Sequence, residues 1–147
     1  CVAFQVLSGA RLFLHQWRLR RGVVPWLQAG TGATLALFLL VHTGAVLFGR
    51  AGLDLDTNFW FAAAGIHAGL APLFLPYYFL AIVALFTHLG CFAYWRTALR
   101  SPPVRRAVIG VPVLLGVVVA LLVTGCLAGW LTPVTVPARY LATWGAG

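Results

Sequence analysis

Residues 25–49, PWLQAGTGATLALFLLVHTGAVLFG, decide the class of this protein. At 1.5 Å per residue the stretch makes a helix long enough to cross a hydrocarbon core about 30 Å thick. It carries no charged side chain, and its one histidine is His42. Trp26 suits the interface at its entry, and Gly49 with Arg50 closes it. Two further stretches read the same way: Pro76 to Trp95, which contains His88, and Ala107 to Leu131, rich in Val and Leu, with Trp130, Pro133 and Pro137 marking the exit.

The rest of the chain agrees with that reading. Hydrophobic residues make up 62% and charged residues 8%, with a mean hydropathy of +0.96, a balance that excludes a water-soluble domain with a charged surface. All ten basic residues are arginine, and Asp54 and Asp56 are the only acids. In a soluble protein a net charge of +8 would suggest nucleic acid. Here most of the arginines lie in short loops between apolar runs, where membrane orientation and attraction to anionic lipid explain them. Cys1, Cys91 and Cys126 form no CxxC pair and read as small apolar residues, which excludes a disulfide scaffold or a zinc site. There is no methionine, even at position 1, so the expectation is that the given sequence begins after processing or after a segment that precedes it.

The fold expected is an all-α integral membrane protein, a bundle of three to four transmembrane helices plus a short interfacial helix, forming a single membrane domain over residues 1–147. Residues 1–17 are mostly apolar, but Gln5, Ser8, Arg11, His15 and Arg18 recur at helical spacing. Such a helix either spans or lies in the interface. From Phe59 to Trp95 run almost forty mostly apolar residues, too many for one straight span and interrupted by Pro72 and Pro76. The reading is therefore a short helix over 59–70, capped from Asp56, Thr57 or Asn58, followed by a span over 76–95. The arginines at 18–21 and 96–106 share one side, expected to be the inside of a bacterial cytoplasmic membrane. The acidic loop and the tail bearing Arg139, Tyr140 and Trp144 face the other side.

His42 and His88 are the candidates for chemistry. Ionisable groups inside spans are costly, usually face a bundle interior, and mark functional sites. Axial ligation of a haem iron is the role expected of this pair. Small residues flank both: Ala45 and Gly49 beside His42, and Ala81, Ala84 and Cys91 beside His88. They allow close approach by a planar cofactor or by another helix, and Gly65–Gly69 and Gly125–Gly129 are GxxxG matches to helix-packing motifs. Counting from the nearest boundary puts the two histidines about 10 Å apart in height. That leaves open two alternative pairs, His42 with His67 and His15 with His88.

Residues 27–46, LQAGTGATLALFLLVHTGAV, with Thr31 and Gly32 early in a span and His42 ten residues after Gly32, resemble a core helix of the cytochrome b-type membrane anchors of succinate dehydrogenase and fumarate reductase. The resemblance covers the first half of the chain. It implies one or two haems b held by histidines on different helices, a quinone as substrate near a membrane surface, and flavoprotein and iron–sulfur partner subunits. Ser8, Arg11 and Thr31 are then quinone-side residues, and His15 and Gln28, near the same surface, join them as candidates. The chain departs from the family at Ala29 and Gly30, where a basic residue is common, and in the shorter Ser8–Arg11 spacing. A bis-histidine haem passes single electrons and offers no open site for substrate. The chain itself contains no GxGxxG, CxxC or GKS/GKT motif, so dehydrogenase chemistry would belong to partners.

Two other classes compete. A cofactor-free accessory subunit of a respiratory or photosynthetic complex would account for the fourth expected span, which has no strongly polar side chain. A chlorophyll-type pigment-binding subunit would account for Ala84 four residues before His88. A channel or transporter fits less well, because the spans lack carboxylates and paired broken helices.

Overall fold

In a computed structural model, residues 4, 7–11, 14 and 22–145 are described, and among them there are helices, turns and loops but no strand. The first long helix, α1, is Val23–Leu53. Pro25 sits in its first turn, where a missing N–H costs nothing. Asp54 ends it in a left-handed conformation at φ 50°, turning the chain so that the Leu55 N–H reaches the Gly49 carbonyl at 2.9 Å.

Helix α2, Phe59–Gly65, is capped by Asn58, whose Oδ1 accepts from the N–H groups of Trp60 (3.0 Å) and Phe61 (3.4 Å). Of the three candidate caps it is Asn58 that performs the function. A π-helical turn, Ile66–Leu70, follows and contains the break: Gly69 adopts φ 90°, ψ 2°. That backbone conformation favours glycine, since a Cβ there crowds the following carbonyl. Helix α3 then runs Ala71–Arg96. The long apolar run is thus divided as expected, but at Gly69, so α3 begins at Ala71 rather than Pro76. Pro72 occupies the first turn of α3, and Pro76 lies inside the helix.

Helix α4 is Pro102–Leu127, where the sequence suggested 107–131. It starts earlier because prolines 102 and 103 suit a first turn. It stops earlier because Gly129 turns left-handed at φ 77°, while Trp130 N–H and Gly129 N–H return to the carbonyls of Gly125 (2.9 Å) and Cys126 (3.1 Å). Gly125–Gly129 is therefore a helix stop, and Gly65–Gly69 leads into the kink; neither serves as an uninterrupted packing seam. A short helix α5, Ala138–Leu141, and a 3₁₀ turn, Ala142–Trp144, complete the described chain.

Among the described residues three helical stretches, Val23–Leu53, Phe59–Arg96 and Pro102–Leu127, are long and apolar enough to cross a membrane. Their most apolar windows are only 6, 11 and 17% buried within the chain. Leu37, Leu47, Leu73, Leu89 and Leu114 are among the large side chains left outside. So much uncovered hydrocarbon calls for an apolar surrounding, whether lipid or other subunits. The reading of residues 1–17 falls largely outside the described residues, although 7–11 are helical.

Two compact units make up the chain: residues 1–39 with 81–117, and residues 40–80 with 118–147. In the first, α3 and α4 approach closely: a Cβ on Gly90 would stand 3.3 Å from the backbone at Val108 and Ile109. Cys91 is fully buried there. The second unit is built round Ala63, Ala64, Ile66, Leu127, Val136 and the fully buried Tyr140. The Tyr140 hydroxyl accepts from Asn58 Nδ2 at 3.1 Å and from Arg139 at 2.8 Å, and Arg139 reaches Asp56 at 3.5 Å. The acidic loop and the tail, placed on one side by arginine counting, are in contact.

Candidate functional site

In the first unit the site grows from α1. Thr31 bends its hydroxyl back to the Leu27 carbonyl at 2.8 Å, with the Gln28 carbonyl at 3.1 Å. A threonine hydroxyl has one proton to give, either to one of these carbonyls or to a ring nitrogen that faces it. The same oxygen lies 3.1 Å from His88 Nδ1 on α3. With the Thr31 proton on a carbonyl, the oxygen accepts from Nδ1–H and the ring's lone pair is on Nε2; in the other neutral tautomer Thr31 donates to Nδ1. Gly32 makes the approach possible: a Cβ there would stand 3.3 Å from His88 Cε1. One turn before Thr31, Gln28 Oε1 accepts from Trp95 Nε1 at 2.7 Å. Gln28 and Thr31 of α1 are thus tied to Trp95 and His88 of α3, two bonds between the same pair of helices.

Sequence reasoning named Gln28, Thr31 and His88 separately and missed Trp95, which entered only as the end of a span. Ser8 is half-buried and Arg11 exposed on the helical stretch 7–11. His15 lies outside the described residues. The small residues beside His88 are occupied by the chain itself: Ala81, Ala84 and Cys91 are 5%, 6% and 0% exposed.

The second unit holds His42 and His67. His67 Nε2 lies 3.0 Å from the carbonyl of Leu127, the last residue of α4. A carbonyl only accepts, so Nε2 is the donor, and His67 satisfies one of the carbonyls a helix end leaves open. His42 is half-buried and meets the Tyr78 ring edge-on at 6.4 Å. The space beside Gly49 is filled by Phe61, whose ring would stand 2.7 Å from a Cβ at that position. Of the described histidines, His88 belongs to the first unit and His42 and His67 to the second.

Among the described residues no group of three or more His, Cys, Asp or Glu could hold a bare metal ion. A porphyrin brings its own four nitrogens and asks the protein only for axial ligands, so the donor set does not conflict with haem. An open hollow of about 630 Å³ is lined by Arg50, Asp54, Leu55, Asp56, Thr57 and Asn58. Its polar groups are largely engaged: Arg50 Nε donates to Thr57 at 2.7 Å, and Asn58 caps α2. No family model, curated protein or solved structure matches the chain.

Proposed function

We propose that this chain is the membrane subunit of an electron-transfer complex, with His88 an axial ligand to a haem b. The observation that supports the reading most directly is the Thr31–His88 hydrogen bond. Metal-bound histidines characteristically donate their other ring N–H to a fixed acceptor, which sets tautomer and ring orientation and raises ligand basicity. In the Nδ1–H tautomer Thr31 does this for His88, leaving Nε2 as the ligating atom. Bound haem supplies one-electron transfer. The chain supplies the rest: an oriented imidazole, a glycine that admits the ring against α1, and a hydrocarbon surrounding. The second ligand is His42 in the leading pair or His15 in the alternative, and His42→Ala, by loss or retention of haem, decides between them. Gln28 keeps its amide N–H₂ for a quinone carbonyl, with Ser8 and Arg11 as further candidates. A flavoprotein and an iron–sulfur protein would be the soluble partners, on the arginine-rich side of a bacterial cytoplasmic membrane.

The test is a reduced-minus-oxidised spectrum of the complex purified from its own membranes in detergent, with the pigment assigned to this subunit by separation. A b-type spectrum lost in His88→Ala supports the proposal; full haem retention in that variant overturns it. One observation favours a second reading, the cofactor-free accessory subunit. Ala81, Ala84 and Cys91 are already covered by the chain, so the His88–Thr31 bond can serve as an interhelical clamp alone. A colourless subunit selects that reading, and a chlorophyll spectrum selects a pigment protein.

A further inference from the structure

The charge of this molecule is divided sharply. The second unit contains Arg50, Arg139, Asp54 and Asp56, which cancel. The first contains the other eight arginines and no carboxylate, and so carries the whole formal charge of +8. Four of those arginines lie where α3 ends and α4 begins: Arg96, Arg100, Arg105 and Arg106. None of the four makes an ion pair with a described residue. Arg105 and Arg106 stand near the start of α4, toward the positive end of its dipole, where a cation is disfavoured unless an anion is nearby.

Arg105 is held in place. Its guanidinium lies 4.0 Å over the Tyr94 ring of α3, and its Nε is buried with no hydrogen-bond partner. The buried Nε and the stacking on Tyr94 fix the guanidinium's orientation, so that an oxyanion arriving from outside would accept from its Nη groups. The backbone contributes little here, since Pro102 and Pro103 have no N–H and the Arg105 N–H is spent on the Ser101 carbonyl at 3.1 Å. Recognition is left to the guanidinium groups.

We propose that the α3–α4 turn binds the phosphate of an anionic phospholipid headgroup, with Arg105 as the oriented fork and Arg96, Arg100 and Arg106 as the surrounding positive field. Its position argues for lipid over free phosphate. The cluster sits at the ends of two membrane-length helices, at the level of Tyr94 and Trp95, where aromatic belts and headgroups meet. The inference requires the three long helices to be spans but does not involve the haem.

The test uses the full chain in a neutral detergent, titrated with phosphatidylglycerol, phosphatidylcholine or inorganic phosphate. Lipid retention is followed by native mass spectrometry and stability by thermal unfolding. Phosphatidylglycerol should be retained and stabilising, and phosphatidylcholine neither. Arg105→Lys keeps the charge but loses the fork, and should weaken phosphatidylglycerol binding about five-fold or more. Equal binding of the two lipids, unchanged affinity in Arg105→Lys, or displacement of the lipid by millimolar inorganic phosphate would each overturn the proposal. If Arg105→Lys does not fold, Tyr94→Leu removes the ring beneath the guanidinium at constant charge. The same weakening is expected, and undiminished binding refutes the assignment. Haem content, read from the same samples, reports separately on His88.

Discussion

The Thr31 hydroxyl stands within hydrogen-bond reach of both its own helix and the His88 ring on α3. Thr31→Val removes the oxygen at nearly constant volume. Interhelical hydrogen bonds in membranes average about 0.6 kcal/mol and reach about 1.7, so detergent-unfolding stability should fall within that range. If His88 ligates haem, the same variant should also loosen haem retention about ten-fold or more, because the outer-shell partner is gone. A stability loss with haem content unchanged would separate the clamp from the ligand role. Tyr140 makes a comparable case in the second unit. Tyr140→Phe keeps the buried ring but removes the oxygen that accepts from Asn58 and Arg139, and a loss of about 0.5–1.5 kcal/mol in thermal or denaturant unfolding is expected. Of these partners, the sequence revealed His88 as an oddity in an apolar run. It could not reveal Thr31 as its hydrogen-bond partner, because the two are 57 residues apart and Thr31 looks like any helix threonine.

Among the helical elements, the Gly69 break has the clearest cost. No atom comes within 4 Å of a Cβ at this position, so Gly69→Ala meets no steric obstacle and pays only for the left-handed backbone. A destabilisation of about 1–2 kcal/mol is expected, with no rescue from trimming neighbours. At Gly65, φ is −61° but Phe74 fills the space, so Gly65→Ala should be destabilising by overpacking, about 1–3 kcal/mol. Combining Gly65→Ala with Phe74→Leu should recover part of that loss, whereas the same combination with Gly69→Ala should not. Unfolding midpoints of the four variants check the contrast. The break itself was legible in the run's excess length and in Pro72 and Pro76. Its location was not, since glycine in an apolar segment signals close packing and left-handed turns alike.

For the whole molecule, the separation of charge predicts orientation. Leu99, fully exposed in the arginine-rich turn, and Asp56, in the acidic loop, should lie on opposite sides of the membrane. With the native cysteines replaced, an impermeant maleimide applied to intact cells of a bacterial host should label Asp56→Cys and spare Leu99→Cys until the membrane is opened. Labelling of Leu99→Cys alone would invert the topology. By itself the sequence determined the class, the three long apolar helices and the charge asymmetry, because these are sums over composition and length that neighbours in space cannot change. Tertiary structure alone decided which polar groups meet. It pairs Thr31 with His88 and Gln28 with Trp95, commits His67 to the end of α4, and assigns Ala81, Ala84 and Cys91 to the chain's own packing. In a uniformly apolar helix the sequence period carries little directional signal, so which face turns inward is settled by the shapes and hydrogen bonds of the helices beside it.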